Sequence, residues 1–431
     1  MPKHFSKSLK ELRFLLSANM LMLLFLGTGG NAVFGQTDPA VASWIVNYAG
    51  QTGFAGIPTN VQQVQYSVNN VYISTNNIAD WIPIGYDWPN NPWFPESQNF
   101  VFKITRHPEE NTGNKIQTPY GHIGLWTNGV SIYNPKDAKS WQEENVWFQN
   151  AFYFEHLAME TFDPCLGHPN NMHEYHLHVN PTCLYDDTDS SAHAPLIGFA
   201  FDGFPIYGAY AYKNTDGSGP ITRMQSSYRL RNITDRTTLP NGTALAADQH
   251  GPALVIYPLG AYVEDYEYVP GLGDLDEWNG RFCVTPEYPS GTYAYFVTID
   301  AAQTPVYPYV LGPKFFGKVQ PGNTGPNSGH NTISEPVVVY TSVNEQLNQI
   351  DFDLYPNPAS EFFNFYVAPS FHQNMTASLH DANGRVVLQM DYVQTGVNYP
   401  INIKDLDPGF YLFRIATTTG LAWKKIIVER R

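Results

Sequence analysis

Short segments in which apolar and polar residues alternate dominate the chain, and this pattern predicts β-strands. Residues 61–75 alternate around an Asn-Asn pair and predict two paired strands. The stretch N-F-V-F-K-I-T at 99–105 and the segment 292–299 predict single strands. Residues 123–133 predict a hairpin, with Asn128-Gly129 as its turn.

One segment has helical rather than strand periodicity. Between residues 144 and 161, the apolar side chains of Trp147, Ala151, Phe154 and Ala158 recur at helical spacing. We therefore expect a helix there whose apolar stripe packs into a core.

The C-terminal part has a different character. From Phe352 onward, short alternating segments are separated at regular intervals by Gly and Asp turns, which is typical of a small immunoglobulin-like β-sandwich of about seven strands over 351–431. The Gly-, Pro- and Asn-rich stretch before it predicts a linker over 317–350. The predicted fold class is thus mainly β: a β-rich α+β domain at 36–316 with at least one helix, followed by the sandwich.

The first 35 residues predict a signal peptide rather than folded structure. A basic start is followed by an apolar run over 14–26 and by small residues that predict cleavage between Gly35 and Gln36. The run is short for a spanning helix, and no later stretch is apolar enough to cross a bilayer. We expect an exported protein without a stable membrane span.

Composition and charge argue against some classes of binding partner. The chain is rich in Tyr, Phe, Trp, Gly and Pro, and it carries a formal net charge of −15 that is concentrated between the signal region and the C-terminal domain. Such an acidic surface argues against a nucleic-acid partner, because affinity for nucleic acid depends on neutralising phosphates.

Coordinating residues are concentrated between Asp163 and Gly208. Five of the 13 histidines fall between His168 and His193. In an extended segment His176 and His178 point to the same side, so the two imidazoles can chelate one ion. His168 and His193 are candidates for further ligands and His173 is a possible one. Imidazole suits zinc or copper and does not suit calcium, and the sequence leaves the choice between zinc and copper open.

The three cysteines fit an oxidising compartment. Cys165 and Cys183 are the natural disulfide pair, closing a short loop around most of the histidine cluster, and Cys283 is left over. Three free buried thiols are the alternative.

Two carboxylates are candidates for acid–base chemistry. Asp202 lies in D-G-F-P-I-Y-G and Glu277 in D-L-D-E-W-N-G-R. A rigid corner at Asp202 and a solvated acidic loop at Glu277 are the structural alternatives. The sequence contains no G-x-S-x-G, H-E-x-x-H or P-loop signature.

The region from about residue 60 to about 316 resembles the YHYH-domain family of exported proteins. The resemblance rests on D-P-C-L-G-H-P, on Tyr175–His178, on P-L-I-G-F-A-F-D-G-F-P-I-Y-G, on L-D-E-W-N-G-R-F and on G-T-Y-A-Y-F-V-T. The chain departs from the family at Leu177, where the motif has Tyr, and at Trp278, where members often have Cys. Residues 293–296 resemble a second copy of the motif without histidines. The family has no established activity.

The C-terminal domain resembles the type A sorting domain of type IX secretion. The matching segments are 354–358, 381–388, 406–411 and the basic pair Lys424-Lys425. The resemblance implies export across the outer membrane by the type IX machinery, then removal of this domain and release or surface attachment.

Three functional hypotheses remain. The central domain is a metal-binding module, a metal-dependent hydrolase or oxidase that uses Asp202 or Glu277, or a structural or adhesive surface module in which the histidines only pack. The sequence itself favours the first and leaves enzymatic activity undecided.

Overall fold

The computed structural model describes residues 38–341, 352–367, 375–381, 385–416 and 421–430. The chain forms two compact units that divide between Tyr340 and Thr341. The predicted signal peptide lies outside the described residues. Within the described ranges, no helix is both long and apolar enough to cross a membrane.

The regular secondary structure of the first unit consists mainly of short strands. They are β1 Val61–Tyr66, β2 Asn70–Thr75, β3 Phe100–Thr105, β4 His122–Trp126, β5 Ser131–Tyr133, β6 Lys136–Ser140, β7 Phe148–Asn150, β8 Gly167–Pro169, β9 Tyr175–Leu177, β10 Leu196–Ala200, β11 Pro205–Tyr207, β12 Tyr210–Tyr212, β13 Ile221–Arg223, β14 Tyr228–Leu230, β15 Tyr266–Tyr268, β16 Gly280–Cys283, β17 Thr292–Phe296 and β18 Val338–Val339. The helical elements are the single turn α1 Pro39–Ala42, the 3₁₀ turns Phe54–Gly56, Trp141–Glu143, Ala247–Gln249 and Val263–Asp265, and the π-helix Phe152–Ala158.

A central sheet of eight strands, ordered β16-β17-β11-β10-β4-β5-β9-β8, organises this unit. Its middle strands β4 and β10 are buried at every position. Apolar clusters cover both faces of the sheet, one containing Trp126 and Ile206 and the other Leu125 and Phe199. This double covering explains why β4 and β10 are apolar on both sides rather than strictly alternating.

A second sheet, ordered β18-β1-β2-β3, confirms the strands predicted near the start of the domain. β1 and β2 form the expected antiparallel pair. The last strand, β18, comes from the stretch predicted as a linker, and Val339 of β18 pairs with Gln65. The linker prediction is therefore wrong for residues 317–340, because their backbone groups bond to strands of the first unit; Val101, for example, donates to the Gly329 carbonyl.

The predicted helix over 144–161 is only partly correct. Residues Phe148–Asn150 form β7, which pairs with β6, and the helical segment begins at Phe152 and ends at Ala158. The backbone amide of Asn150 is already bonded to the Ala261 carbonyl, so the chain is extended where apolar spacing alone predicted helix.

The central sheet consists of two similar halves. The hairpins β4–β5 and β10–β11 both read I-G-x-x-x-[N/D]-G-x-x-I-Y, at residues 123–133 and 197–207. β5 runs parallel to β9 with Ile132 opposite Leu177. β11 runs parallel to β17 with Ile206 opposite Tyr295.

The outer strands repeat the same relationship. Gly167 of β8 pairs with Leu177, and Gly280 of β16 pairs with Tyr295. At the centre, Leu125 lies opposite Phe199, its own equivalent. The residues equivalent to His168, His176 and His178 in the second half are therefore Arg281, Ala294 and Phe296.

The second unit confirms the predicted sandwich. Its strands in the described ranges are β19 Phe352–Tyr355, β20 Phe362–Val367, β21 Met375–His380, β22 Val386–Val393, β23 Asn398–Asn402, β24 Gly409–Ala416 and β25 Leu421–Val428. They form two sheets, β19-β20-β23 and β22-β21-β24-β25, around one apolar cluster that includes Phe363, Phe413 and Ile426.

Candidate metal centre

Three histidines converge where β8 and β9 pair. His168 and His176 are direct partners across this antiparallel pair, and His178 follows two residues later on the same side. The Nε2 atom of His176 lies 3.1 Å from that of His168 and 3.0 Å from that of His178. The three residues are 3–5% exposed, so they form a buried cluster.

The loop before β8 holds this strand pair in place. Asp163 accepts hydrogen bonds from the backbone amides of Cys165 and Gly167, both at 2.9 Å, and from the Tyr175 hydroxyl at 2.7 Å. The predicted disulfide between Cys165 and Cys183 is present. Gly167 is required because a Cβ atom there would collide with the Tyr175 phenol.

Each of the three rings uses its Nδ1 atom to donate a hydrogen bond. His176 donates to the Glu174 carbonyl at 3.0 Å, and His178 to the Asn134 carbonyl at 2.5 Å. The Thr161 hydroxyl gives its hydrogen to the Glu155 carbonyl, so at 3.1 Å it accepts from Nδ1 of His168.

These bonds place the proton of each neutral ring on Nδ1 and leave a lone pair on Nε2. Burial lowers the pKa of His168 to about 4 and that of His176 well below its usual value, which keeps both rings neutral. Three lone pairs within 4.8 Å of one another repel unless a cation lies between them. Acceptors behind the rings are the usual way in which proteins orient metal-ligating histidines.

A carboxylate completes the cluster. Oε2 of Glu155 lies 3.4 Å from Nε2 of His168 and 3.3 Å from Nε2 of His178. This oxygen is buried and makes no hydrogen bond of normal geometry. Glu155 lies on the π-helix Phe152–Ala158, a rare element that is often found at functional sites.

The spacing fits the ligands of a single ion. Two atoms that each lie about 2.0–2.1 Å from a tetrahedral zinc ion are roughly 3.3 Å apart. The His176–His178, His168–His176 and Glu155–histidine separations of 3.0–3.4 Å are close to this value. The remaining pair, His168 and His178, lies within 4.8 Å, so these two rings would approach each other on binding. The set of three imidazole nitrogens and one carboxylate oxygen is one that zinc and copper accept.

The surrounding side chains restrict motion of the rings. The Tyr133 ring stacks on His176 at 3.8 Å, and the Phe162 ring lies 4.6 Å from that of His168. The buried side chain of Glu174, next in sequence to Tyr175, is hydrogen-bonded to Nε2 of His122, whose Nδ1 lies 2.7 Å from the Ser328 hydroxyl.

Two of the histidines predicted as metal ligands, His173 and His193, lie outside the cluster. The predicted set of ligands is corrected to exclude them. His173 is at the turn between β8 and β9, where its Nδ1 contacts the Phe94 carbonyl and its ring packs on Phe94. His193 packs against Tyr207 and Tyr212, in the second half of the sheet. Nearness in sequence does not bring these two rings to the histidine cluster.

The two candidate catalytic carboxylates are also outside the cluster. Asp202 is fully buried and accepts hydrogen bonds from the Tyr295 hydroxyl and the Gly317 amide, so it anchors a corner, and burial raises its pKa to about 6. Glu277 is exposed, and its backbone carbonyl accepts from Tyr228. Neither carboxylate is placed to act on an ion held by the histidines.

Sequence reasoning missed Glu155. It lies 13 residues before His168, inside a segment interpreted as a helix with an apolar stripe. An acidic residue on a helix is usually solvated, so nothing in the local sequence separates Glu155 from its neighbours. Glu155 lies beside the histidines only because the chain, after the π-helix, returns to it through β8 and β9.

Two parts of the chain match known families. Residues 101–308 match the family described as YHYH protein, and residues 353–429 match the secretion system C-terminal sorting domain. No curated protein is significantly similar to the chain. Residues 101–308 thus form a domain of the YHYH family, and the type IX sorting domain that follows identifies the chain as a secreted or cell-surface protein.

Proposed function

We propose that the first unit binds one transition-metal ion, zinc or copper, through the Nε2 atoms of His168, His176 and His178 and a carboxylate oxygen of Glu155. The observation that carries this proposal is the direction of the three rings. Each Nδ1 is engaged by an acceptor, so three buried lone pairs and an unsatisfied carboxylate oxygen are gathered in one cluster.

The alternative, in which the histidines only pack, has a higher energetic cost. A packed histidine normally satisfies both ring nitrogens with hydrogen bonds to groups of opposite kind. Here the Nε2 atoms face one another and Glu155, and none faces a donor that could satisfy all three. A bound cation would remove this repulsion and would give the Glu155 carboxylate a positively charged partner.

Metal analysis of the secreted protein tests the proposal. After growth with zinc and copper, we expect one transition ion per chain. The variant His176→Ala/His178→Ala should lose it, because two of four ligands are removed. The matched control His173→Ala/His193→Ala removes the same number of imidazoles outside the cluster and should keep the ion.

The proposal would be wrong if the wild-type protein held only traces of transition metal. Retention of the ion by a correctly folded His176→Ala/His178→Ala variant would also contradict it. Circular dichroism of both double variants shows whether loss of metal reflects loss of ligands or loss of fold.

A second candidate function, a metal-dependent hydrolase or oxidase, has one observation in its favour. Burial and the neighbouring Glu155 carboxylate raise the pKa of Asp137 of β6 to about 6, and the side chain of Glu155 is 19% exposed. A cluster that opens toward solvent beside a second carboxylate could admit water or a substrate to the ion.

The test is whether an exogenous ligand reaches the ion. In a cobalt-substituted protein, azide or cyanide should change the visible absorption spectrum if a coordination position is exchangeable. An unchanged spectrum of a four-coordinate ion at saturating azide and cyanide would reject the enzyme hypothesis and retain the metal-binding one.

A further inference from the structure

A cleft of about 780 Å³ opens beside the histidine cluster without including it. Its walls come from the β5–β6 connection, β7, β14, β15 and the loop 312–314. Asn134 belongs to both sites, because its carbonyl orients His178 while the residue lines the cleft. The volume lies in the range of small-molecule binding sites, about 300–1,000 Å³.

One wall of the cleft is made of tyrosines. The Tyr266 and Tyr307 rings stack at 4.2 Å with 12° between their planes, and Tyr228 meets Tyr307 edge-on at 5.4 Å. Tyr268 and Trp278 extend this wall. Rigid aromatic walls of this kind present flat faces for a ring of a ligand, together with hydroxyl groups at their edges.

The charges in the cleft differ from those of the rest of the chain. Lys136 and Lys314 both line it and are half-buried. Among the described residues, no carboxylate lies within the 4.0 Å ion-pair distance of either ammonium group. In a chain with a net charge of −15, two lysines that line one cleft with no carboxylate at ion-pair distance offer a site for an anion, although the charge of Lys136 also acts on Glu264.

The acidic residues of the cleft limit the charge of that anion. Glu277 is exposed, and Glu264 accepts a hydrogen bond from the Phe148 amide at 2.7 Å. Burial raises the pKa of Glu264 to about 7, so this carboxyl is partly protonated near neutrality. Because Glu264 is only partly protonated, the two lysines exceed the acidic groups of the cleft by less than one charge, which suits a single carboxylate better than a phosphate dianion.

We propose that this cleft binds an organic monoanion that carries a ring, with its carboxylate at Lys136 and Lys314 and its ring against the Tyr266–Tyr307 wall. The proposal goes beyond metal binding and does not depend on it. Acidic sugars and aromatic acids both have the required chemistry, so the two sources are separated by experiment.

Calorimetric titration of the purified full-length chain tests the proposal with four probes. They are galacturonic acid, the methyl ester of galacturonic acid, 4-hydroxybenzoate and methyl 4-hydroxybenzoate. We expect at least one acid to bind, and its ester to bind at least about tenfold more weakly, because the ester has lost the charge-assisted hydrogen bonds. The acid that binds identifies the source.

Substitutions locate the binding. Lys136→Met and Lys314→Met keep most of the apolar stem and should each weaken binding of the acid about tenfold. Lys103→Met is the matched control, because this half-buried lysine lies outside the cleft, and it should bind as wild type. The His176→Ala/His178→Ala variant should also bind the acid, which separates this proposal from the metal-binding one.

Three results would overturn the proposal. One is that neither acid binds at millimolar concentration. Another is that each ester binds as tightly as its acid. The third is that a folded Lys136→Met or Lys314→Met variant binds the acid like wild type.

Discussion

The Nε2 atoms of His168 and His176 lie 3.1 Å apart because these two residues are direct partners across β8 and β9. Two histidines eight residues apart in sequence are thus held by strand pairing rather than by a loop. The disulfide between Cys165 and Cys183 and the hydrogen bonds to Asp163 hold the same strands. A site on paired strands keeps its ligand geometry more closely than one on a loop.

The number of ions per chain follows from the two halves of the sheet. The second half has Arg281, Ala294 and Phe296 in place of the three histidines, and the Arg281 guanidinium lies over the Phe296 ring at 5.6 Å. None of these side chains is a usual metal ligand, and the guanidinium already supplies a positive charge. Native mass spectrometry should therefore show one bound ion. A second ion of equal affinity would mean that the two halves are functionally equivalent.

Thr161 should set the affinity for the ion without touching it. Thr161→Val removes the acceptor for Nδ1 of His168 and should weaken metal binding by about 10- to 100-fold. Thr161→Ser keeps the hydroxyl and should restore affinity to near that of wild type. Competition with a chromogenic chelator measures both variants. Equal affinities of the valine variant and wild type would show that Thr161 does not orient the ring.

Gly167→Ala should destabilise the strand pair that carries the cluster. The added methyl would collide with the Tyr175 phenol, and overpacking of this kind costs about 1–3 kcal/mol. Gly113→Ala is the control, because its nearest non-neighbouring atom would lie 3.4 Å from the new Cβ. Urea denaturation measures the difference in unfolding free energy. A loss no larger than that of Gly113→Ala would contradict the prediction.

Glu264 should make stability depend on pH in a defined direction. Burial raises its pKa to about 7, with opposition from Lys136, whereas a glutamate in an unfolded chain titrates near about 4.3. The folded state holds the proton more tightly, so the contribution of this group to stability is fully present below about pH 4 and is lost as the pH rises to about 7.

Glu264→Gln removes this titration. The variant should lose less stability than wild type between about pH 5 and pH 8, by on the order of 2 kcal/mol. Denaturant unfolding at the two pH values measures the difference, and Glu144→Gln, at an exposed position, should behave as wild type. Parallel losses in wild type and Glu264→Gln would refute the assignment.

Local patterns predicted most of the strands. The β1–β2 pair, β3, the hairpin at Asn128-Gly129 and the C-terminal sandwich follow from alternation and turn chemistry, which act over a few residues. The helix over 144–161 was only partly correct, because Phe148–Asn150 pair with β6 and the Asn150 amide bonds to the carbonyl of Ala261, far away in the sequence. Apolar spacing contains no information about such partners.

The sequence likewise predicted only part of the candidate site. The sequence by itself determined that His176 and His178 share one side of a strand, that Cys165 and Cys183 are the natural pair, and that the chain is exported. These conclusions depend on a period of two, on short loop closure and on terminal signals, all of which are local.

Only the tertiary structure decided which other residues join the pair. The pairing of β8 with β9 places His168 beside His176, and the π-helix places Glu155 beside the histidines. His173 and His193 make their contacts outside the cluster. The physical reason is that a metal site depends on distances between side chains from different elements. Those distances are set by strand register and by which backbone groups pair, and neither quantity is encoded at any single position of the chain.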